Sequence, residues 1–223
     1  MNSKIEKILS IPKSFWVSLH FFGFKDAVKL PMFVRYNCVL KNLTGSVGIL
    51  NSGGVRFAMF HFGFNRVGIF DKKYERSILD IQGRVEICGK VDFGHGSRLV
   101  VCRGGVLTLG EGFVNTAKGV VVCTKRISIG KNMLMSWDTL IMDTDWHAMQ
   151  DTKYGTIFPC EEEIVIGENV WMGMRSVILK GTSIPDGCVI AANATCCKKY
   201  KNVNCLLAGT PAEVKKYNVT KES

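Results

Sequence analysis

The sequence lacks any long apolar segment: no run of about eighteen apolar residues occurs among its 223 residues, so no membrane-spanning helix is predicted. The nine cysteines include no C-x-x-C pair and are odd in number, which argues against a zinc site and against a disulfide framework. A reducing, cytoplasmic location is therefore expected. The N-terminal stretch carries Glu6 and lacks an A-x-A cleavage site, so we expect no signal peptide.

Acidic residues are fewer than basic ones, 19 against 29, which gives a formal net charge of +10. With 47% hydrophobic and 22% charged residues, the composition is that of a globular protein with a sizeable core. The positive charge favours anionic partners such as phosphates, nucleotides or an anionic membrane surface. Nucleic-acid binding is not expected, because there is no helix-turn-helix pattern and no aromatic-basic platform. We expect the aromatic N-terminal segment to pack on the domain, with peripheral membrane contact as the alternative.

A six-residue period runs through the C-terminal part of the sequence. The first position of each hexapeptide is aliphatic or compact: Ile166, Met172, Ile178, Ile184, Ile190 and Cys196. The fifth position is small or compact: Val170, Ser176, Thr182, Cys188 and Ala194. Neither the helical period of about 3.6 residues nor the strand period of about 2 produces this spacing. A period of six is typical of a parallel β-helix, in which each coil has three short faces.

The same period is less regular before residue 147. Earlier hexapeptides begin with Ile81, Ile87, Phe93 and Leu99. The pattern stops at His147 and resumes at Ile166, so residues 148–163 are predicted to form a loop extruded from the coil. Long insertions on a regular scaffold are often functional. The fold class expected is all-β. The expected regions are an N-terminal strand or cap segment at 1–45, a parallel β-helix domain at 46–208 and a short helical tail at 209–223.

Five segments in a fixed order resemble the hexapeptide-repeat acyltransferases, and more narrowly the bacterial O-acetyltransferases of polysaccharides and sugars. They are DTDWH, IGENVWMG, VILKGTSI, VIAANATCCKK and LLAGTPAEVKK, which together cover about residues 141–217. The chain departs from the family pattern at Met172, where isoleucine is usual, and in AANATCC. Both changes keep the inward-facing register. The N-terminal part lies outside the shared core, so the identity of the substrate does not carry over.

The resemblance implies a left-handed parallel β-helix that assembles as a homotrimer with active sites between chains. It also implies acetyl-CoA as acyl donor and a small-molecule or lipid-linked sugar hydroxyl as acceptor, in the biosynthesis of capsule, exopolysaccharide or O-antigen. An amino-sugar N-acetyltransferase on the same fold is the alternative, and a non-catalytic β-helix scaffold is a less favoured one. A γ-type carbonic anhydrase needs three zinc-binding histidines. Since His20 and His61 lie outside the regular repeats, no metal is expected.

His147 is the candidate general base, because it stands at the break in the repeats and matches the family's catalytic histidine. The imidazole of histidine titrates near neutral pH and therefore suits this role. Asp145 and Asp143 precede it at steps of two residues, which in an extended chain places all three side chains on one side. We expect Asp145 to orient the imidazole, as a carboxylate does in a catalytic triad, and Asp143 to lie against the substrate.

The resemblance also assigns contacts to the coenzyme on the coils that follow. Trp171 matches a tryptophan that lines the active site and touches substrate and coenzyme, with a surface aromatic at a trimer seam as the alternative. The backbone N–H of Met174 matches the donor to the thioester oxygen. Ala192, one full coil later, matches a backbone contact to the pantetheine arm. Lys198 matches a lysine near the coenzyme phosphates.

Overall fold

The computed structural model describes residues 3–50, 53–64, 67–70 and 75–222. Across these ranges the chain forms one α-helix, α1 (Ser3–Ala27), followed by 24 strands. Three long sheets, named A, B and C, contain 9, 7 and 6 of these strands. The chain visits the sheets in the repeating order A, B, C, so each sheet gains one strand per coil. This is the arrangement of a parallel β-helix with three faces.

The strands are short and follow one another along each face. Sheet A consists of β1 (Met32–Val34), β4 (Phe60–Phe64), β7 (Val91–His95), β10 (Val114–Ala117), β13 (Leu134–Met135), β18 (Trp171–Met172), β21 (Val189–Ile190), β23 (Cys205–Gly209) and β24 (Ala212–Tyr217). Sheet B consists of β2 (Val39–Leu40), β5 (Ile78–Ile81), β8 (Arg98–Val101), β11 (Val120–Cys123), β14 (Leu140–Met142), β19 (Val177–Leu179) and β22 (Thr195–Cys196). Sheet C consists of β3 (Ser46–Ile49), β6 (Arg84–Ile87), β9 (Val106–Leu109), β12 (Arg126–Ile129), β17 (Ile164–Ile166) and β20 (Ser183–Ile184).

The hexapeptide period fills the interior with one column of side chains per face. Partners on neighbouring strands are one coil apart: Ile166 with Ile184, Met172 with Ile190, and Ile178 with Cys196. All six side chains are at most 2% exposed. Their burial removes most of the apolar surface of these repeats from water, which is the main source of stability in such a narrow fold. The predicted coil of hexapeptides is confirmed.

Parallel pairing begins before the boundary expected at residue 46. β1 pairs with β4, and β2 pairs with β5, so residues 32–40 already belong to the first coil. The segment before them is the helix α1, which packs against β1 at the open end of sheet A. The aromatic N-terminal segment therefore packs on the domain as a helix, and the first strands follow it at residues 32–40. No helix in the described ranges is long and apolar enough to cross a bilayer.

The predicted helical tail is wrong. Ala212–Tyr217 forms β24, which pairs antiparallel with β23 across the turn at Thr210–Pro211. Without β24, the last edge of sheet A would leave N–H and C=O groups unpaired, and a strand satisfies them where a helix does not. The Ala212 carbonyl also accepts a hydrogen bond from the buried Tyr200 hydroxyl at 2.8 Å. The tail thus closes the C-terminal end of the sheet.

Candidate active site

Three edges run along the prism, and we name them AB, BC and CA after the sheets that they join. After β14 on sheet B the chain reaches edge BC at Asp143 and leaves the coil, and it rejoins sheet C at Ile164. Between these points β15 (Met149–Gln150) and β16 (Ile157–Phe158) form an antiparallel hairpin. The break in the hexapeptide period thus corresponds to a hairpin outside the three sheets, rooted at edge BC.

Asp143 lies at the root of this hairpin and is fully buried. One carboxylate oxygen accepts hydrogen bonds from the Thr124 N–H and hydroxyl at 2.7 and 2.9 Å. The other accepts from the N–H groups of Lys125 and Arg126 at 2.9 and 2.8 Å. Because each oxygen already accepts two hydrogen bonds, the carboxylate has no capacity left for a ligand. The expectation that Asp143 binds substrate is wrong: it fastens the turn of the preceding coil to the hairpin root.

Asp145 is half-buried and forms an ion pair with Lys180, with 2.6 Å between Oδ2 and Nζ. The same ammonium group donates a hydrogen bond to the Pro159 carbonyl at 2.5 Å. Lys180 thereby links the two chain segments that enter and leave the hairpin to the next coil. No sequence pattern singled out Lys180, although it stands in the VILKGTSI segment, where the chain turns from sheet B onto edge BC.

His147 is exposed and makes no hydrogen bond, ion pair or ring contact with another residue in the described part of the chain. Within one chain Asp145 does not hold its ring. The reason is Trp146, which adopts a left-handed conformation with φ of 62° and so interrupts the extended geometry on which the expected alignment depended. The Trp146 N–H donates to the Thr144 hydroxyl at 2.9 Å, which fixes this turn. The imidazole is therefore open to a ligand or to another chain.

Three of the residues expected to contact the coenzyme lie on edge AB and on the adjoining part of sheet A: Trp171, Met174 and Ala192. Trp171 on β18 is 37% exposed, and its indole N–H donates to the Ser136 hydroxyl at 3.1 Å. Met174 and Ala192 occupy edge AB on successive coils, and the Met174 carbonyl accepts from the Asn193 N–H at 3.0 Å. The N–H groups of Met174 and Ala192 have no acceptor among the described residues. This edge thus presents two unpaired backbone donors, which suit a ligand rich in carbonyl groups.

Lys198 lies on edge BC, one coil beyond Lys180. Its ammonium group pairs with Glu213 at 2.6 Å and stands over the Tyr200 ring, 5.6 Å from the centroid. The hydrogen bond from Lys198 lowers the pKa of Glu213. Both partners are about half exposed, so solvent screens the pair and it contributes little to stability. A phosphate group can therefore replace Glu213 as the partner of Lys198 at little cost.

The expected site residues fall on two different edges of the prism. His147, Asp145 and Lys198 are at edge BC, whereas Met174 and Ala192 are at edge AB. On the coil that carries Met174, strand β19 of sheet B lies between edge AB and edge BC. One chain therefore does not bring the candidate base and the backbone donors together.

A polar cavity of about 490 Å³ opens at edge BC beside the hairpin root. Lys125, Lys199, Glu162 and Glu163 contribute to its lining, together with the hydroxyl-bearing residues at 182 and 183. Such mixed donors and acceptors suit a hydroxyl-rich ligand. Among the described residues, no group of three or more histidine, cysteine or acidic side chains is arranged to hold a metal ion.

Residues 163–195 match the family model described as hexapeptide repeat of succinyl-transferase. These residues carry the regular hexapeptides that reach from β17 into β22. This chain is 30% identical over 139 residues to the uncharacterized 24.8 kDa protein in the cps region of Klebsiella pneumoniae. The aligned residues cover 62% of this chain and 61% of that protein. It is 34% identical over 75 residues to the polysialic acid O-acetyltransferase of Neisseria meningitidis, covering 33% and 32% of the two chains. The match thus spans less than two thirds of the length of either relative.

Another relative and two solved structures extend the comparison. The putative lipopolysaccharide biosynthesis O-acetyl transferase WbbJ of Escherichia coli is 26% identical over 145 residues, covering 58% of this chain and 74% of WbbJ. The polysialic acid O-acetyltransferase OatWY superimposes with a TM-score of 0.57 at 20% identity, over 83% of this chain and 90% of that one. The polySia specific acetyltransferase NeuO gives 0.50 at 18% identity, over 86% and 79%. These structures establish the fold, the left-handed parallel β-helix that the resemblance implied.

Proposed function

We propose that this protein is an acetyl-CoA-dependent O-acetyltransferase that modifies a sugar hydroxyl during the biosynthesis of a cell-surface polysaccharide. The observation that carries the proposal is His147, an exposed histidine without a partner among the described residues, at the point where the coil leaves sheet B for the hairpin of β15 and β16. Relatives named as polysaccharide O-acetyltransferases support the reaction class. We place the enzyme in the cytoplasm, a reducing compartment that suits its nine free cysteines.

His147 acts as general base in this mechanism. Its neutral imidazole removes the proton of the sugar hydroxyl while the hydroxyl oxygen attacks the thioester carbonyl carbon. Negative charge develops on the carbonyl oxygen, which accepts a hydrogen bond from the Met174 N–H. Collapse of the tetrahedral intermediate breaks the carbon–sulfur bond, and the imidazolium returns its proton to the departing thiolate. The products are an acetyl ester and a free thiol, with His147 neutral again.

The acyl donor would lie along edge AB. The unpaired Ala192 N–H is suited to an amide carbonyl of the pantetheine arm, and the indole of Trp171 offers a flat apolar wall beside it. Lys198 lies on edge BC, so it would meet the phosphates across an interface between chains, after leaving Glu213. Asp145 acts indirectly, because its ion pair with Lys180 positions the root of the hairpin from which His147 projects.

We further propose that the active site forms between chains of a homotrimer. The supporting observation is that His147 on edge BC and the donors on edge AB are separated by a strand of sheet B within one chain. Co-expression of His147→Ala chains with Ala192→Trp chains tests this arrangement. Each variant alone should be inactive, whereas mixed assemblies should regain activity, because one interface then combines an intact histidine with an intact edge AB. Mixed assemblies without activity would contradict the shared site.

The chemistry of the product distinguishes the proposed reaction from amino-sugar N-acetylation. Purified protein, radiolabelled acetyl-CoA and surface glycan should give a labelled glycan whose acetyl groups are released by mild alkali, since esters hydrolyse there and amides do not. Label that resists alkali would assign an N-acetyltransferase. A glycan that acquires no label from any acyl donor would favour the non-catalytic scaffold.

A further inference from the structure

A cavity of about 600 Å³ opens on edge AB, in the N-terminal half of the prism, and we name it the edge AB cavity. Its charged lining consists of Glu75, Arg76, Arg98, Lys118 and Asp138. The apolar first residues of four strands of sheet B line it as well. Charged and apolar groups that converge in one concave site suit a small polar ligand with an apolar side.

Lys118 already has two partners inside this cavity. Its ammonium nitrogen lies 3.2 Å from a carboxylate oxygen of Glu75 and 3.3 Å from Oδ1 of Asp138. The hydrogen bond that it donates to Glu75 raises the pKa of Lys118, so the group stays charged and paired. Oδ2 of Asp138 has no partner among the described residues. This oxygen is therefore free to accept a hydrogen bond from a hydroxyl group of a ligand.

The two arginines of the cavity, in contrast, have no acceptor. Both side chains are exposed, and neither forms a hydrogen bond or an ion pair with another residue in the described ranges. Arg98 begins β8 and lies in register between Ile78 and Val120 of the neighbouring strands. Its side chain thus leaves the outer surface of sheet B between two aliphatic ones. Two unpaired guanidinium groups that line one cavity favour an anion between them.

The balance of charge in the edge AB cavity favours a singly charged anion. Lys118 is shared by Glu75 and Asp138, so these three groups together keep one negative charge. The two arginines add two positive charges, which leaves the lining with a single positive charge. One carboxylate on a ligand balances this charge. A phosphate monoester would bring a second negative charge close to Glu75 and Asp138, which repel it.

Two aromatic rings border the same cavity. The centroid of the Phe70 ring lies 4.9 Å from the ammonium nitrogen of Lys118, which lines the cavity. The Trp137 ring lies 6.3 Å from the Phe70 ring, centroid to centroid, at an interplanar angle of 70°. Trp137 directly precedes Asp138 on edge AB. The rings give the cavity an apolar border against which the C–H groups of a sugar can pack.

The edge AB cavity is continuous with the proposed coenzyme site. The Trp137 carbonyl accepts a hydrogen bond from the Arg175 N–H at 3.1 Å, and the Met174 carbonyl accepts one from the Asn193 N–H at 3.0 Å. Trp137, Met174 and Ala192 thus take the same position on three successive coils. With the pantetheine arm at Ala192 and the thioester at Met174, the acetyl group faces the coil of Trp137. Neighbouring coils are about 4.8 Å apart, so a ligand in the cavity reaches the thioester.

We propose that the edge AB cavity binds the acceptor glycan through a sugar that carries a carboxylate, with Arg76 and Arg98 as the residues that recognise it. The carboxylate accepts hydrogen bonds from the two guanidinium groups, and a sugar hydroxyl donates to Oδ2 of Asp138. The statement that this ligand is the acceptor rests on the proposed acetyltransferase function. Binding itself needs no acyl donor, so it can be measured separately from acetyl transfer.

Titration of the full chain with simple glycosides, followed by NMR, tests the proposal. The methyl glycosides of glucuronic and galacturonic acid should bind roughly tenfold more tightly than those of glucose and galactose, because only the acids form charge-assisted hydrogen bonds with the arginines. Methyl glucoside 6-phosphate should bind more weakly than the two acids, since the cavity carboxylates repel its second charge. Arg76→Gln with Arg98→Gln should lower the affinity for the acids by roughly tenfold and leave that for the neutral glycosides unchanged.

The matched control is Arg84→Gln with Arg126→Gln, which removes the same two charges from exposed positions on sheet C. It should keep the preference for the acids, because the arginines act locally and not through the net charge of the chain.

Equal affinity of the wild-type protein for acidic and neutral glycosides would overturn the proposal, as would a preference that survives in the Arg76 and Arg98 variant. Tighter binding of the 6-phosphate would overturn the choice of a carboxylate. Loss of the oligomeric state in that variant, with unchanged affinity for the acids, would also overturn it and identify the cavity as an interface between copies. A preference for the acids in protein that transfers no acetyl group would support the cavity assignment and contradict the proposed function.

Discussion

Replacement of Asp143 by asparagine should destabilise the fold and should not act as a selective lesion of catalysis. The carboxylate is fully buried and accepts four hydrogen bonds from residues 124–126. An asparagine has one acceptor oxygen, and its NH2 group would face N–H donors, so about two of the four hydrogen bonds would be lost. Each unsatisfied buried donor costs about 1–3 kcal/mol. We therefore expect the free energy of unfolding to fall by about 2–6 kcal/mol.

Denaturant unfolding followed by tryptophan fluorescence, at one protein concentration, measures this loss. Asp151 provides the matched control, because its carboxylate also accepts backbone hydrogen bonds, from Lys153 and Tyr154, but in the exposed hairpin. Asp151→Asn should change the unfolding free energy by less than about 1 kcal/mol. Asp143→Asn protein with wild-type stability and a much lower kcat/KM would refute the structural role and restore a role at the substrate.

Three further predictions concern Glu6, Lys198 and Cys188. Glu6→Ala should leave the buried Arg35 without its carboxylate and lower the unfolding free energy by about 3–5 kcal/mol, and wild-type stability in denaturant would contradict the buried pair. Lys198→Ala should weaken acetyl-CoA binding by about 1–2 kcal/mol in calorimetry, and by less at high salt, whereas unchanged affinity would remove Lys198 from the site. Burial raises the pKa of the Cys188 thiol to about 12, so at neutral pH almost no reactive thiolate forms. Mass spectrometry after iodoacetamide treatment should find the exposed Cys197 alkylated first, with Cys188 reacting only as the pH rises. Early alkylation of Cys188 in the folded protein would contradict the raised pKa of this thiol.

The coil could be predicted from the sequence because its requirement is local and periodic. Each hexapeptide must place one aliphatic side chain in the interior, and residues such as Ile166 and Ile178 meet that requirement without reference to the rest of the chain. The tail could not be predicted in this way. The residues of Ala212–Tyr217 are compatible with a helix, but the open edge of β23 pairs them as a strand, and that edge is a tertiary partner. Tertiary context overrides such weak local preferences.

The candidate site was predictable in position but not in geometry. The break in the period located His147, because a histidine at an interruption of the repeats can be found without knowledge of distant contacts. Its relation to Asp145 depended on the backbone of Trp146, whose left-handed conformation no periodicity indicates. The role of Asp143 depended on a turn one coil earlier, which the sequence pattern does not connect to it. Lys180 was missed for the same reason, because its partners lie across the hairpin root.

Turnover by His147→Ala protein tests the central claim most directly. A positioned general base contributes about 10²–10⁴-fold, so kcat should fall by about that factor. Acetyl-CoA affinity should stay close to that of the wild type, because the proposed donor contacts of Met174 and Ala192 are on another edge of the prism. His20→Ala removes another exposed histidine, on α1, and should leave kcat unchanged. His147→Ala protein that folds and assembles normally and keeps near wild-type kcat would contradict the proposed mechanism.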